Sequence, residues 1–79
     1  MKIEVRVFAT LRHYVPGLGV GEPKIMEVPD GTTAGEVSQQ LGIPLDEVKI
    51  IMRNGLQVEA DEVLADGDRL AFIPPVGGG

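Results

Sequence analysis

The stretch TTAGEVSQQLG, residues 32–42, decides the architecture of this 79-residue chain. Thr33 and Glu36 match the S/T-x-x-E capping box, in which each side chain satisfies a backbone N–H of the other residue. Ala34, Val37 and Leu41 fall at i, i+3 and i+7 and form a single apolar stripe. Gly42 stands where a helix ends, and Pro44 prevents continuation. No other stretch carries so complete a helix signature. Whatever sheet the chain builds has one main helix to cover it.

The segments around this helix read as strands. KIEVRVF (2–8) alternates, with Ile3, Val5 and Val7 on one face. KIMEV (24–28) is a second strand with Met26 and Val28 facing inward. VKIIMR (48–53) and LQVE (56–59) flank Asn54-Gly55, a strong two-residue hairpin signal. RLAFI (69–73) is the last strand, with Leu70 and Phe72 on one face. Between them, ATLRHYV (9–15) predicts a short helix with Thr10 as its cap and Leu11, Tyr14 and Val15 inward. PGLGVGEP (16–23) is a loop, and PDG (29–31) and ADG (65–67) are turns.

The order is thus strand, short helix, strand, helix and three strands. The first and last strands are both apolar enough to be central, and a parallel central pair needs the long connection that lies between them. An α+β fold follows: a ubiquitin-like β-grasp, with a mixed sheet of about five strands, one main helix across it and a short helix after the first strand. A chain this short makes one domain, predicted to span residues 1–75, with 76–79 as a flexible Gly tail.

Composition removes several function classes. Cysteine is absent, which excludes disulfides, thiolate metal sites and a cysteine nucleophile. The net charge of −5, the scattered Lys and Arg and only three aromatic rings argue against nucleic acid. No apolar run approaches the ~20 residues of a membrane span, so a cytoplasmic protein without a membrane partner is expected.

Side-chain chemistry is sparse. His13 is the only histidine, and it reads as a partly exposed surface residue near a helix end. Asp46-Glu47, Asp61-Glu62 and Asp66/Asp68 read as solvated turn and cap carboxylates, so no metal site is predicted. Ser38 is mid-helix with no histidine near it in sequence. GLGVG (17–21) lacks the G-x-G-x-x-G spacing of a phosphate loop and reads as a connector.

AFIPPVGGG (71–79) is different. Pro74 and Pro75 lack N–H donors and end the strand ladder. Prolines at 74 and 75 bias the residues before them toward extended backbone, so the pair forms a stiff elbow. Val76 supplies one apolar anchor. Gly77, Gly78 and Gly79 have no Cβ and fit a channel no wider than a backbone. Pro75 to Gly79 reaches about 16 Å at ~3.3 Å per residue. The terminal carboxyl, with a pKa near ~3.5, is an anion at neutral pH and a poor electrophile. It reacts only once activated, as by adenylation, and the sequence shows no nucleotide site to do this.

These residues resemble the ubiquitin-like sulfur-carrier family, which includes the small subunit of molybdopterin synthase and the thiamine-pathway sulfur carrier. FATLR (8–12) is similar to the family's opening strand-to-helix segment. LADGDRLAFIPPVGGG (64–79) is similar to its closing signature: a D-G-D turn, a strand, P-P-V, a variable residue and Gly-Gly. Two features depart from the pattern: the loop 16–23 is longer, and His13 stands where the family often has an acidic residue.

The resemblance implies a co-substrate rather than an enzyme. An E1-like enzyme would use ATP to adenylate the Gly79 carboxylate, and a sulfur donor protein would convert it to a thiocarboxylate. The tail, with Pro74, Pro75, Val76, Gly77 and Gly78 as partner-binding residues, would then enter the large subunit of molybdopterin synthase. There it would deliver sulfur for the dithiolene that binds molybdenum or tungsten. Leu56 and Phe72 are candidates for the adjoining partner surface, with Phe72 equally a candidate for the core, and no cofactor is expected on this chain. A thiamine-pathway carrier, a ubiquitin-like protein modifier and an interaction module with an inert tail are the alternatives.

Overall fold

Alternation in the first seven residues becomes β1 (Lys2–Val7), whose Ile3, Val5 and Val7 are all buried. In the computed structural model, which describes residues 1–75, a 3₁₀ helix at Ala9–Tyr14 follows. Then come β2 (Lys24–Glu27), α1 (Ala34–Gln40), a 3₁₀ turn at Leu45–Glu47, β3 (Ile50–Arg53), β4 (Leu56–Val58) and β5 (Arg69–Ile73). The sheet order is β2-β1-β5-β3-β4. β1 and β5 pair in parallel, from Glu4 opposite Arg69 to Val7 opposite Phe72, and every other pair is antiparallel. This is the expected ubiquitin-like β-grasp.

One face of the sheet carries the core. Ile3, Val5, Val7, Ile51, Leu70 and Phe72 meet Ala34 and Val37 of α1, with Leu11, Ile43 and Leu64 closing the sides. Met26 is partly buried and Val28 buried, while Ile25 points to solvent, as the strand reading required.

The capping box forms in full. The Glu36 N–H donates to Thr33 Oγ1 at 3.2 Å, and the Thr33 N–H donates to Glu36 Oε1 at 2.9 Å. The remaining orphan donors of the first turn go elsewhere in the chain. The Ala34 N–H bonds the Glu62 carbonyl at 3.0 Å, and the Gly35 N–H bonds the Ala60 carbonyl at 2.8 Å. Helix ends need such partners, and here they moor the segment 60–62 to α1. The approach is so close that a Cβ on Gly35 would lie 3.1 Å from the Ala60 oxygen. At the β3–β4 hairpin, Asn54 and Gly55 both take positive φ (51° and 84°), the signature of a type I′ turn.

Three local readings are corrected. Thr10 is not a cap: the turn at 9–14 is 3₁₀, Phe8 holds the N-cap position, and no side chain caps it. The short turn at Leu45–Glu47 was not anticipated. Asp68 is not a solvated turn carboxylate. It is buried and accepts hydrogen bonds from Arg53 Nε (2.7 Å), Asn54 Nδ2 (2.9 Å) and the Ala65 N–H (2.7 Å). Arg53 also reaches Glu62 at 2.6 Å, so one guanidinium ties β3 to the chain on both sides of Leu64. Ser38 is fully buried and donates to the Ile43 carbonyl at 2.6 Å, a satisfied structural hydroxyl.

Burial alone would raise the Asp68 pKa, but the Ala65 N–H, Asn54 and Arg53 outweigh it and hold the carboxyl below its ordinary range. A depressed folded-state value contributes stability above the unfolded pKa and loses it as pH falls through the folded one. We therefore expect stability, followed by urea unfolding, to decline as pH drops below about 4, with a shallower decline in Asp68→Asn. Thr33→Ala should cost about 1 kcal/mol through loss of the cap, with the urea m-value unchanged.

Candidate functional site at the tail root

β5 lies between β1 and β3, so the strand that leads to the tail leaves from the middle of the sheet. Its last two carbonyls are taken from opposite sides. The Phe8 N–H donates to the Phe72 carbonyl at 3.2 Å, and the Lys49 N–H donates to the Ile73 carbonyl at 2.8 Å. Pro74 and Pro75 have no N–H to continue the ladder, and the strand stops at Ile73. Pro74 is buried and Pro75 exposed. Pro74 is therefore packed at the root, and Pro75 is the described residue of the expected partner-contacting pair that presents its surface. Val76, Gly77, Gly78 and Gly79 lie outside the described residues.

The sheet face opposite α1 has no layer over it among the described residues. Alternation sends Arg69, Ala71 and Ile73 of β5 to this face, beside Arg6 and Phe8 from the β1 side and Met52 from β3. Phe8, Met52, Ala71 and Ile73 line a shallow concavity bordered by Arg6, Arg69 and the Asn54-Gly55 turn. Phe8 is 38% exposed. The concavity is apolar at its centre, carries two arginines at its margin and reaches the end of β5.

The surface residues proposed from sequence fall elsewhere. Phe72 is 0% exposed and belongs to the core, so it cannot meet a partner. Leu56 is 72% exposed. It pairs with Arg53, which in turn pairs with the inward Leu70, so Leu56 shares the parity of the α1 side. A sequence signal for this open face was present. In RLAFI the residues between Leu70 and Phe72 and after them, Ala71 and Ile73, are apolar too, and a strand apolar on both faces leaves one apolar face to be covered.

One hydrogen-bonded titratable pair joins the two turns beside the root. The Tyr14 hydroxyl hydrogen-bonds Glu47 Oε2, and this bond, followed by partial burial and the carboxylates of Glu47 and Asp46, raises the Tyr14 pKa. His13 is exposed, its ring centroid 4.2 Å from that of Tyr14. Among the described residues, no group of three His, Cys, Asp or Glu side chains is placed to hold a metal ion. No helix among them is long and apolar enough to cross a membrane. The loop at 17–21 is clasped by its own neighbours: Glu22 accepts the Gly19 N–H at 2.8 Å, and Arg6 Nε donates to the Gly21 carbonyl at 3.1 Å.

Residues 5–79 match the ThiS family. No curated protein matches the chain. Among solved structures, the HVO 2177 protein of Haloferax volcanii is 30% identical, with a TM-score of 0.75 over 100% of this chain and 87% of that one. A chain from the complex of subunits 1 and 2 of the Helicobacter pylori molybdopterin-converting factor is 26% identical, with a TM-score of 0.62 over 100% of both chains. Small archaeal modifier protein 1 of H. volcanii is 24% identical, with a TM-score of 0.75 over 100% of both chains. At that identity the last likeness is one of fold alone.

The two surface assignments separate by stability. Phe72→Ala should destabilise by about 3–5 kcal/mol in urea unfolding, as for a buried aromatic, whereas Leu56→Ala should stay within about 0.5 kcal/mol of the unaltered chain.

Proposed function

The chain belongs to the ThiS family, and from that premise we propose that it is a sulfur carrier whose working group is the carboxylate of Gly79. Its destination is molybdopterin, the dithiolene ligand of molybdenum or tungsten. The observation that carries this reading is the family match running through to residue 79. The likeness to a chain of the H. pylori molybdopterin-converting factor complex favours the pterin pathway over thiamine, as does the helical turn directly after β1.

The chemistry follows from the terminal group. A carboxylate oxygen of Gly79 attacks the α-phosphorus of ATP held by an E1-like enzyme, and pyrophosphate leaves. The outer sulfur of a persulfide on a sulfur donor protein then displaces AMP from the acyl adenylate, and a cysteine thiolate of a partner cleaves the resulting acyl disulfide, which leaves a thiocarboxylate on Gly79 and a disulfide on the partners. Sulfur is a softer nucleophile than oxygen, and it stays covalently attached until the tail reaches the large synthase subunit. The chain contributes no acid or base to these steps; those belong to its partners, and so does ATP. Glycines at 77–79 present the least hindered acyl group available, at an ordering cost of roughly 1–2 kcal/mol per residue. Val76 and the open face of the sheet offset that cost by docking against the partner, and the domain 1–75 serves as a handle for the tail 76–79.

The test is intact mass after incubation with an E1-like enzyme, ATP and a sulfur donor. Replacement of one oxygen by sulfur is the expected result. Adducts on other proteins would instead make the chain a modifier, and no mass change would make its tail inert. Deleting Gly79, or extending the chain beyond it, should abolish the mass change and leave the unfolding midpoint where it was. Gly78→Phe should block the same step by filling the channel. Met52→Glu should raise the KM for the E1-like enzyme by at least roughly tenfold, the loss expected when a charge enters an apolar contact, while Leu56→Glu leaves it unchanged.

A further inference from the structure

We propose that Tyr14 and Glu47 form a clasp that braces the exit of β5 and so sets the direction in which the tail root leaves the sheet. The proposal rests on the tail being the working end of the molecule. β1 runs parallel to β5 and β3 runs antiparallel to it, so the end of β1 and the start of β3 stand on either side of the end of β5. The 3₁₀ helix at Ala9–Tyr14 follows β1, and the 3₁₀ turn at Leu45–Glu47 precedes β3. These two turns are posts flanking the strand that delivers the tail. The Tyr14 hydroxyl donates to Glu47 Oε2 and joins one post to the other across 33 residues of sequence.

The posts also carry the last bonds of β5. Phe8, the N-cap of the first post, holds the Phe72 carbonyl, and Lys49, two residues beyond the second, holds the Ile73 carbonyl. After Ile73 the prolines donate nothing, so the angle of the root depends on the posts keeping their separation. Pro74 is buried at this exit. Tyr14 is only partly buried and Glu47 is exposed, and an exposed hydrogen bond adds little to global stability. Its consequence is geometric. A reacting group displaced by about 1 Å loses on the order of 10²-fold in rate, and this pair flanks the root that aims the tail at its partner. Tyr14 and Glu47 are thus positioning residues, with no contact to the reacting atoms.

Full-length Tyr14→Phe, Glu47→Ala and Glu47→Gln decide the matter by two readouts. In amide hydrogen exchange, Phe8 and Lys49 should exchange at least tenfold faster in Tyr14→Phe and Glu47→Ala. Glu4 and Asn54, whose N–H groups bond Asp68 and Arg69 at the other end of β5, should keep their rates. Glu47→Gln retains an acceptor oxygen and should behave as the unaltered chain. In pyrophosphate release with an E1-like enzyme and ATP, the first two variants should lose about tenfold in kcat with KM unchanged, because the open face is intact. Unaltered exchange at Phe8 and Lys49 would overturn the clasp. Faster exchange with unchanged kcat would reduce it to a structural bond and overturn the positioning role. If the unaltered chain releases no pyrophosphate with any such enzyme, the carrier reading falls, and the exchange rates alone decide whether the posts are braced.

Discussion

β1 and β5 come from opposite ends of the sequence and lie side by side at the centre of the sheet, parallel, from Glu4–Arg69 to Val7–Phe72. A parallel pair cannot be joined by a tight turn, so the chain between them must leave the sheet and return. It does so through β2, α1 and the β3–β4 hairpin. Closing so long a loop is entropically unfavourable. Burial of Ile3, Val5, Val7, Leu70 and Phe72 against α1 offsets it. The central pairing also gives β5 a neighbour on each side, so the tail root departs from the interior of the sheet and not from a fraying edge.

The two faces of that sheet then divide the labour. One is covered by α1, whose first-turn N–H groups reach out to the carbonyls of Ala60 and Glu62 and hold the approach to β5 in place. Asp68 fastens the same approach from the other side, through Arg53, Asn54 and the Ala65 N–H. The opposite face keeps Phe8, Met52, Ala71 and Ile73 available next to the tail root. The proposed carrier role uses this division: a firm body, an apolar surface for a partner to grip, and an end for that partner to take. The Tyr14–Glu47 bond adds a brace where body and end meet.

Most of the fold was legible in the sequence because its signals are local. Thr33 and Glu36 are three residues apart and speak for a helix start by themselves. Asn54-Gly55 specifies its turn through backbone preferences of the two residues alone. Alternation in 2–7 and 69–73 separated inward from outward side chains correctly, and the lone long helix forced the grasp-like layering. The resemblance to sulfur carriers also rested on contiguous residues, and the family match agrees with it.

What the sequence by itself determined, then, was the five strands, the main helix, the parity of β1, β2 and β5, and the family. What only the tertiary structure decided was which residues meet. Phe72 and Leu56 looked equivalent as apolar strand residues, yet pairing with both neighbours buries the first completely and the edge position of β4 leaves the second exposed. Asp68 resembled any turn carboxylate until Arg53 and Asn54 arrived from the neighbouring hairpin. Pro74 read as a partner-contacting residue of the elbow, but it is buried. Tyr14 and Glu47 carry no signal for each other, because they are neighbours only once β1 and β3 line up beside β5. The physical reason is common to all four: local preference depends on residues within a turn or two, whereas burial and pairing depend on what long-range closure of the chain places alongside.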